Sequence, residues 1–204
     1  PPDEVAPATS EWPAYCDITT ISTNVLPPYP TTQKILAVKS PMDTQKTVKS
    51  FGYIRELVAR HPDYEIVIVS TRKSFTNDAC TRFSTNTGLP FVSYLQVKVD
   101  PNLNTKYFIT QIESCYKDTT HRKIVIMDEF RSLLAQFDSG LHGNNLYQNR
   151  KVFEDYISNA EYLLVLDADL DDHCINTINA LCPNDRVTLI HNTIPKRQGW
   201  AAFA

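Results

Sequence analysis

Residues 35–47 read Ile-Leu-Ala-Val-Lys-Ser-Pro-Met-Asp-Thr-Gln-Lys-Thr, and they decide the fold. The unbroken apolar run Ile35-Leu36-Ala37-Val38 suits a strand buried on both faces. Beyond the turn, Val48, Phe51, Ile54, Leu57 and Val58 recur at helical spacing and stop near His61-Pro62. A strand, a loop ending in Lys46-Thr47 and a helix is the layout of a phosphate-binding loop. In such loops backbone N–H groups close on the phosphates, lysine reaches them, and the hydroxyl holds a divalent cation. Set against G-x-x-x-x-G-K-[ST], Ser40 takes the first position, Asp43 the fourth and Gln45 the sixth, so the glycines are missing. A Cβ at Gln45 costs about 1–2 kcal/mol where the turn needs left-handed backbone. The charge of Asp43 beside phosphate costs roughly a few kcal/mol at an effective dielectric near 20. A micromolar site is worth only about 8 kcal/mol. By itself the stretch also fits an ordinary strand–turn–helix with a chance Lys-Thr pair.

A second apolar run narrows the choice. Ile124-Val125-Ile126-Met127 ends in Asp128-Glu129. In phosphate-loop chemistry the first carboxylate binds Mg²⁺ and the second polarises the attacking water. An acidic pair at a strand end is common, but its place downstream of Lys46-Thr47 is the order that chemistry requires. A third run leads into Leu166-Asp167-Ala168-Asp169-Leu170-Asp171-Asp172. That cluster fits a D-x-D metal site, a coupling segment, or an acidic helix start favoured by the dipole. Thr71-Arg72-Lys73-Ser74-Phe75-Thr76 follows the strand-like Glu65–Ser70 and offers cations and hydroxyls at a helix start, which suits sugar-phosphate contact. Arg82 extends that patch if residues 76–83 are helical. His121-Arg122-Lys123 reads as a turn before the Ile124 strand.

Further strands are expected at Phe91–Val97, Tyr107–Ile112, Tyr162–Leu166 and Val187–Ile190, with a helix at Val152–Ala160. This alternation points to a doubly wound parallel sheet, whose ligands sit at the carboxyl ends of the strands. Prolines crowd residues 1–41, so residues 1–30 read as an irregular leader and residues 31–204 as one domain. No apolar run approaches the roughly 20 residues of a membrane span. A net charge of −3 leaves nucleic-acid binding to local patches. Five scattered cysteines without a C-x-x-C pair read as reduced packing thiols and argue for an intracellular protein. The start at Pro1 lacks Met and any signal-peptide core, as in a trimmed chain or a piece of a longer one.

The blocks K-S-P-M-x-T-x-K-T (39–47), V-S-T-R-K-S-F-T (69–76), Q-I-E-S (111–114), M-D-E-F-R-S-L-L-A-Q-F-D-S-G-L-H-G (127–143) and L-D-A-D-L-D-D (166–172) occur in this order. Over about residues 34–190 the chain resembles the herpesvirus-type replication origin-binding proteins, which are superfamily 2 helicases. The resemblance implies an α/β, three-layer RecA-like (P-loop NTPase) domain with a mostly parallel sheet. It implies ATP and Mg²⁺ as cofactors and DNA, including a replication origin, as partner, with no membrane and a nuclear location. Ser40, Thr44, Lys46 and Thr47 would bind nucleotide, Thr47 and Asp128 the metal, and Asp128 with Glu129 would be catalytic. Asp167 and Asp169 would couple hydrolysis to strand movement. Arg72, Lys73, Ser74 and Phe75 would face the DNA backbone. The family's loop reads M-G-T-G-K-T where this chain has Met42-Asp43-Thr44-Gln45-Lys46-Thr47, so weakened or lost ATPase is expected. The second RecA-like domain that closes the cleft is expected in a longer parent. Two rival readings are a non-enzymatic remnant that keeps DNA contact and a D-x-D nucleotide-sugar transferase built on Asp167 and Asp169.

Overall fold

The computed structural model describes residues 12–23, 27, 33–41, 46–71 and 73–194, with backbone alone at residues 46, 47, 49 and 73–77. Among them, eight strands form one sheet: β1 (Cys16–Ile21), β2 (Ile35–Lys39), β3 (Ile66–Ser70), β4 (Val92–Ser93), β5 (Tyr107–Gln111), β6 (Ile124–Asp128), β7 (Tyr162–Asp167) and β8 (Val187–Asn192). Their order is β1-β8-β2-β7-β6-β3-β5-β4, and every pairing is parallel. The helices are α1 (Lys46–Arg60), α2 (Lys73–Thr87), α3 (Tyr94–Val99), α4 (Phe130–Gln136), α5 (Leu146–Asn159) and α6 (Asp172–Leu181).

Continuous apolar strands have a plain cause here: both faces of the sheet are covered. Ala37, Val67, Met127 and Val165 point to a layer built from Phe130, Leu133, Phe153, Ile157 and Ile175 of α4, α5 and α6. Their neighbours Val38, Ile68, Ile126 and Leu164 point the other way, onto Phe51, Ile54 and Leu57 of α1 and Phe83 of α2. Phe51 and Phe83 meet edge to face at 4.8 Å and join those two helices. The result is the expected three-layer RecA-like domain. Among the described residues no helix is long and apolar enough to cross a membrane. All five cysteines are free and buried, and burial pushes the thiols of Cys115 and Cys174 up to about 12.

Three local expectations change. Within the leader, Cys16–Ile21 is not irregular but an edge strand beside β8. Its β-branched Ile-Thr-Thr-Ile sequence between Pro13 and Pro27 carried that signal, and the flanking prolines hid it. Trp12 also belongs to the domain: it is buried against the sheet, and the Lys39 ammonium lies 4.9 Å from its ring. The alternation at Phe91–Val97 yields only a two-residue strand. There Ser93 Oγ accepts the Gln96 N–H while Gln96 Oε1 accepts the Ser93 N–H, a capping box that starts α3 and overrides the strand pattern.

Arg122, read as part of a turn, is a buried clamp. Its Nε and Nη2 donate to the two Asp118 oxygens at 2.7 and 2.8 Å. Its Nη1 donates to Thr105 O at 2.5 Å. Tyr156 of α5 donates its hydroxyl to the same carboxylate at 2.7 Å, and burial, reinforced by Asp118, raises that phenol well above its ordinary range. The clamp ties α5 and the entries of β5 and β6 together at the amino edge of the sheet. Arg122→Met should therefore destabilise the chain by about 3–5 kcal/mol in urea unfolding, because Asp118 is left charged, buried and without its cation.

Candidate functional site

Strand order brings the motif-bearing segments together. β2, β7, β6 and β3 are consecutive neighbours in the sheet, and in a parallel sheet their carboxyl ends share one edge. Lys39 pairs with Asp167, and Asp128 with Leu166. The phosphate-loop strand, the D-x-D strand, the Asp-Glu strand and the basic-patch strand therefore finish side by side, as a nucleotide site in an open α/β sheet requires.

At this edge Ser40 is buried. Its N–H donates to Asp167 O at 3.0 Å, and its hydroxyl accepts from Asn192 Nδ2 at 3.1 Å. Ser40 thus anchors the start of the loop to β7 and β8 and has already spent its N–H within the sheet. Asp43, Thr44 and Gln45 lie outside the described residues, as do the side chains of Lys46 and Thr47. The α1 backbone does begin at Lys46, so the Lys-Thr pair opens a helix.

Asp128 ends β6 and is 7% exposed. Glu129 follows in left-handed backbone, φ 58 and ψ 52, and among the described residues it alone of the non-glycines has positive φ. That conformation costs about 1–2 kcal/mol, and it is held by two backbone bonds. Glu129 N–H donates to Leu166 O at 2.9 Å, and Glu129 O accepts the Leu133 N–H at 3.0 Å. Strain of this kind tends to be stored at functional positions.

The D-x-D cluster divides into two different residues. Asp167 is 6% exposed. Its Oδ2 accepts the Arg131 N–H at 2.7 Å, and its Oδ1 accepts the Asp169 N–H at 2.9 Å. Both oxygens are engaged with backbone, so Asp167 staples the start of α4 to the end of β7. Asp169 is exposed, and among the described residues no group of three or more His, Cys, Asp or Glu could hold a metal ion. Asp167 thus joins the segments that follow β6 and β7. Asp171 caps α6 through Cys174 N–H at 3.0 Å and pairs with Arg131 at 3.4 Å. Burial works to raise its carboxyl, but the Cys174 N–H and the Arg131 charge outweigh it and hold the group below the ordinary carboxylate range.

The basic patch is placed only in part. Lys73 opens α2, while Arg72 and the side chains of Lys73, Ser74 and Phe75 lie outside the described residues. Arg82 sits in the second half of α2, about 13 Å along the axis from its start, so it does not extend the patch at the sheet edge. Thr71, read with the patch as a phosphate contact, turns inward. It is 9% exposed, and its hydroxyl donates to Glu129 Oε2 at 3.2 Å. Nothing in the sequence signalled the Asn192–Ser40 or Thr71–Glu129 bonds, which join residues 152 and 58 positions apart.

Residues 18–200 match the family model described as "Origin of replication binding protein". The chain belongs to this family. It is 26% identical over 164 residues to the replication origin-binding protein of Human herpesvirus 6A (strain Uganda-1102), covering 79% of this chain and 20% of that protein. It thus spans about a fifth of the length of that relative. Two solved structures share its fold. A hypothetical ATP-dependent RNA helicase from Sulfolobus tokodaii aligns with a TM-score of 0.57 at 14% identity, over 78% of this chain and 48% of that one. Mss116p bound to ssRNA and AMP-PNP aligns with a TM-score of 0.57 at 13% identity, over 82% of this chain and 38% of that one. This origin-binding-family domain therefore shares its fold with these two proteins.

The staple role of Asp167 has a direct check that needs neither nucleotide nor metal. Asp167→Asn places an NH₂ group against a backbone N–H and should cost about 1–3 kcal/mol in chemical unfolding. Asp169→Asn, at an exposed position, should stay within about 0.5 kcal/mol of the parent.

Proposed function

We propose that this chain is the first RecA-like domain of an origin-binding-protein helicase, one that grips the DNA backbone through Arg72, Lys73, Ser74 and Phe75 and holds ATP weakly. One observation carries the reading: β2, β7, β6 and β3, the strands that lead into the four motifs, are consecutive neighbours in a parallel sheet and end on one edge. A magnesium nucleotide fits part of this edge. Lys46 and Thr47 at the start of α1 would hold its phosphates and cation, and Asp128 at the end of β6 would complete the metal shell. Glu129 would orient the attacking water, while Asp167 would transmit motion between the acidic segments, with exposed Asp169 beside it. Bound ATP supplies the phosphoryl group, and Mg²⁺ spreads its charge. Asp43 and Gln45 fit poorly, the first by charge and the second by its Cβ. We extend the same reading to a replication origin as the DNA, a second RecA-like domain in a longer parent protein and a nuclear place of work.

Two measurements test this reading. In fluorescence anisotropy the chain should bind single-stranded DNA with a salt-dependent affinity. Arg72→Ala with Lys73→Ala should weaken binding and reduce the slope of log K against log salt by about 1.4. Binding that ignores both the salt and the two cations would sink the DNA assignment.

Thermal unfolding with Mg·ATP addresses the loop. Nucleotide at about 100 times its Kd adds about 2.7 kcal/mol, or some 5–11 °C for a domain of this size. The full shift should appear in the Asp43→Gly, Gln45→Gly variant at millimolar nucleotide and be much smaller in the parent chain. Equal shifts in the two proteins would mean that the loop tolerates both side chains.

A further inference from the structure

The exposed face of α5 carries one stripe at four-residue spacing: Tyr147, Lys151, Asp155 and Asn159. Residues four apart on a helix stand in one row, about 6 Å apart along the axis. All four line a cavity of about 430 Å³ between α5 and residues 116–122, the stretch that leads from β5 back to β6. Tyr116 stands at the tyrosine end of this cavity, because its N–H donates to Asn149 Oδ1 at 2.9 Å. Thr119, Thr120 and His121 continue the wall that faces the helix. Beneath lie Val152 and the Arg122–Asp118–Tyr156 clamp, whose charges are already paired with each other.

The charges of the stripe are unspent. One position back on the helix, Arg150 and Glu154 pair across the same i, i+4 spacing at 3.1 Å. Lys151 and Asp155 do not: among the described residues neither side chain has an ion pair or a hydrogen bond. From Tyr147 to Asn159 the stripe runs about 18 Å, the length of an extended peptide of about five residues. Alternate side chains of an extended chain point the same way about 6.7 Å apart, close to the step of the stripe. An extended peptide laid along α5 therefore sets every second side chain on Tyr147, Lys151 and Asp155 in turn. The chemistry of the stripe then dictates the sequence: an aromatic residue on Tyr147, an acidic one on Lys151 and a basic one on Asp155. The amides of Gln148 and Asn159 and the hydroxyls of Thr119 and Thr120 suit peptide N–H and C=O groups. Nucleic acid is a worse match, since its phosphates would meet the Asp155 carboxylate and the stripe offers one charge of each sign.

We propose that this groove docks an extended segment of a partner protein in which an aromatic, an acidic and a basic residue occupy alternate positions. The clamp joins the two walls, Asp118 and Arg122 on one side and Tyr156 on the other, so the groove is set before the peptide arrives.

Two fluorescein-labelled peptides, G-F-T-E-T-K-G and its reverse G-K-T-E-T-F-G, cover the two directions in which such a segment can lie. In fluorescence anisotropy the full chain should bind one of them. Lys151→Glu should weaken that binding about 10-fold, the worth of one charged contact. The Lys151→Glu, Asp155→Lys double variant should reject that peptide and bind the form in which its Lys and Glu are exchanged. Neither residue has a side-chain partner in the fold, so both variants should keep the urea midpoint of the parent. Failure of the parent to bind either peptide at millimolar concentration overturns the proposal. So does binding that ignores the exchange of charges. Displacement of the peptide by a single-stranded oligonucleotide that itself depends on Lys151 makes the groove a nucleic-acid site and overturns the proposal as well.

Discussion

Burial of the central strands on both faces is the constraint from which the rest follows. β2, β7, β6 and β3 are walled in by helices above and below, so their side chains are apolar at nearly every position and their backbone groups are spent within the sheet. Polar chemistry can emerge only where the strands stop. Because all the pairings are parallel, the stops that follow the four motif strands fall on one edge. Lys39-Ser40, Ser70-Thr71, Asp128-Glu129 and Asp167 are therefore gathered by packing rather than by any attraction among themselves.

At that edge, short-range polar bonds replace apolar packing as the organising force. Asp167 accepts two backbone N–H groups, Ser40 is tied to Asp167 and Asn192, and Thr71 bridges Glu129 and Gln136. Several of these bonds join segments that follow different strands, so a displacement at one motif is felt at the next. A hydrogen bond in this half-buried setting is worth roughly 1 kcal/mol net. Bonds of that size hold a ground-state geometry yet can be exchanged by a ligand. The opposite, amino edge differs: there the buried Arg122–Asp118–Tyr156 clamp holds α5 to the strand entries.

Much of this was legible in the chain itself, and the particular failures show why some was not. The runs Ile35–Val38 and Ile124–Met127 could be read as doubly buried strands because both faces demand the same residue type. Phe91–Val97 misled because its alternation is a weak signal and the Ser93–Gln96 capping box is a strong local one. Cys16–Ile21 was hidden by the prolines around it, although its β-branched residues fit a strand. Arg122 was read only as part of a turn because nothing in the sequence announces that Asp118, just before it, pairs with it beneath an α5 tyrosine.

The sequence by itself determined the fold class, the order of the motifs and the absence of glycine between Ser40 and Lys46. Each depends on residue type at short spacing, where hydrophobic periodicity, the left-handed requirement for glycine and the sign of a side-chain charge act locally. Only the tertiary structure decided what the acidic and hydroxyl residues do. Asp167 and Asp169 look alike in the chain, yet one is a buried staple and the other an exposed carboxylate. Thr71 reads as a phosphate contact, yet it faces Glu129. These roles depend on which strand ends become neighbours, and strand order in a parallel sheet is set by long crossovers that local sequence does not record.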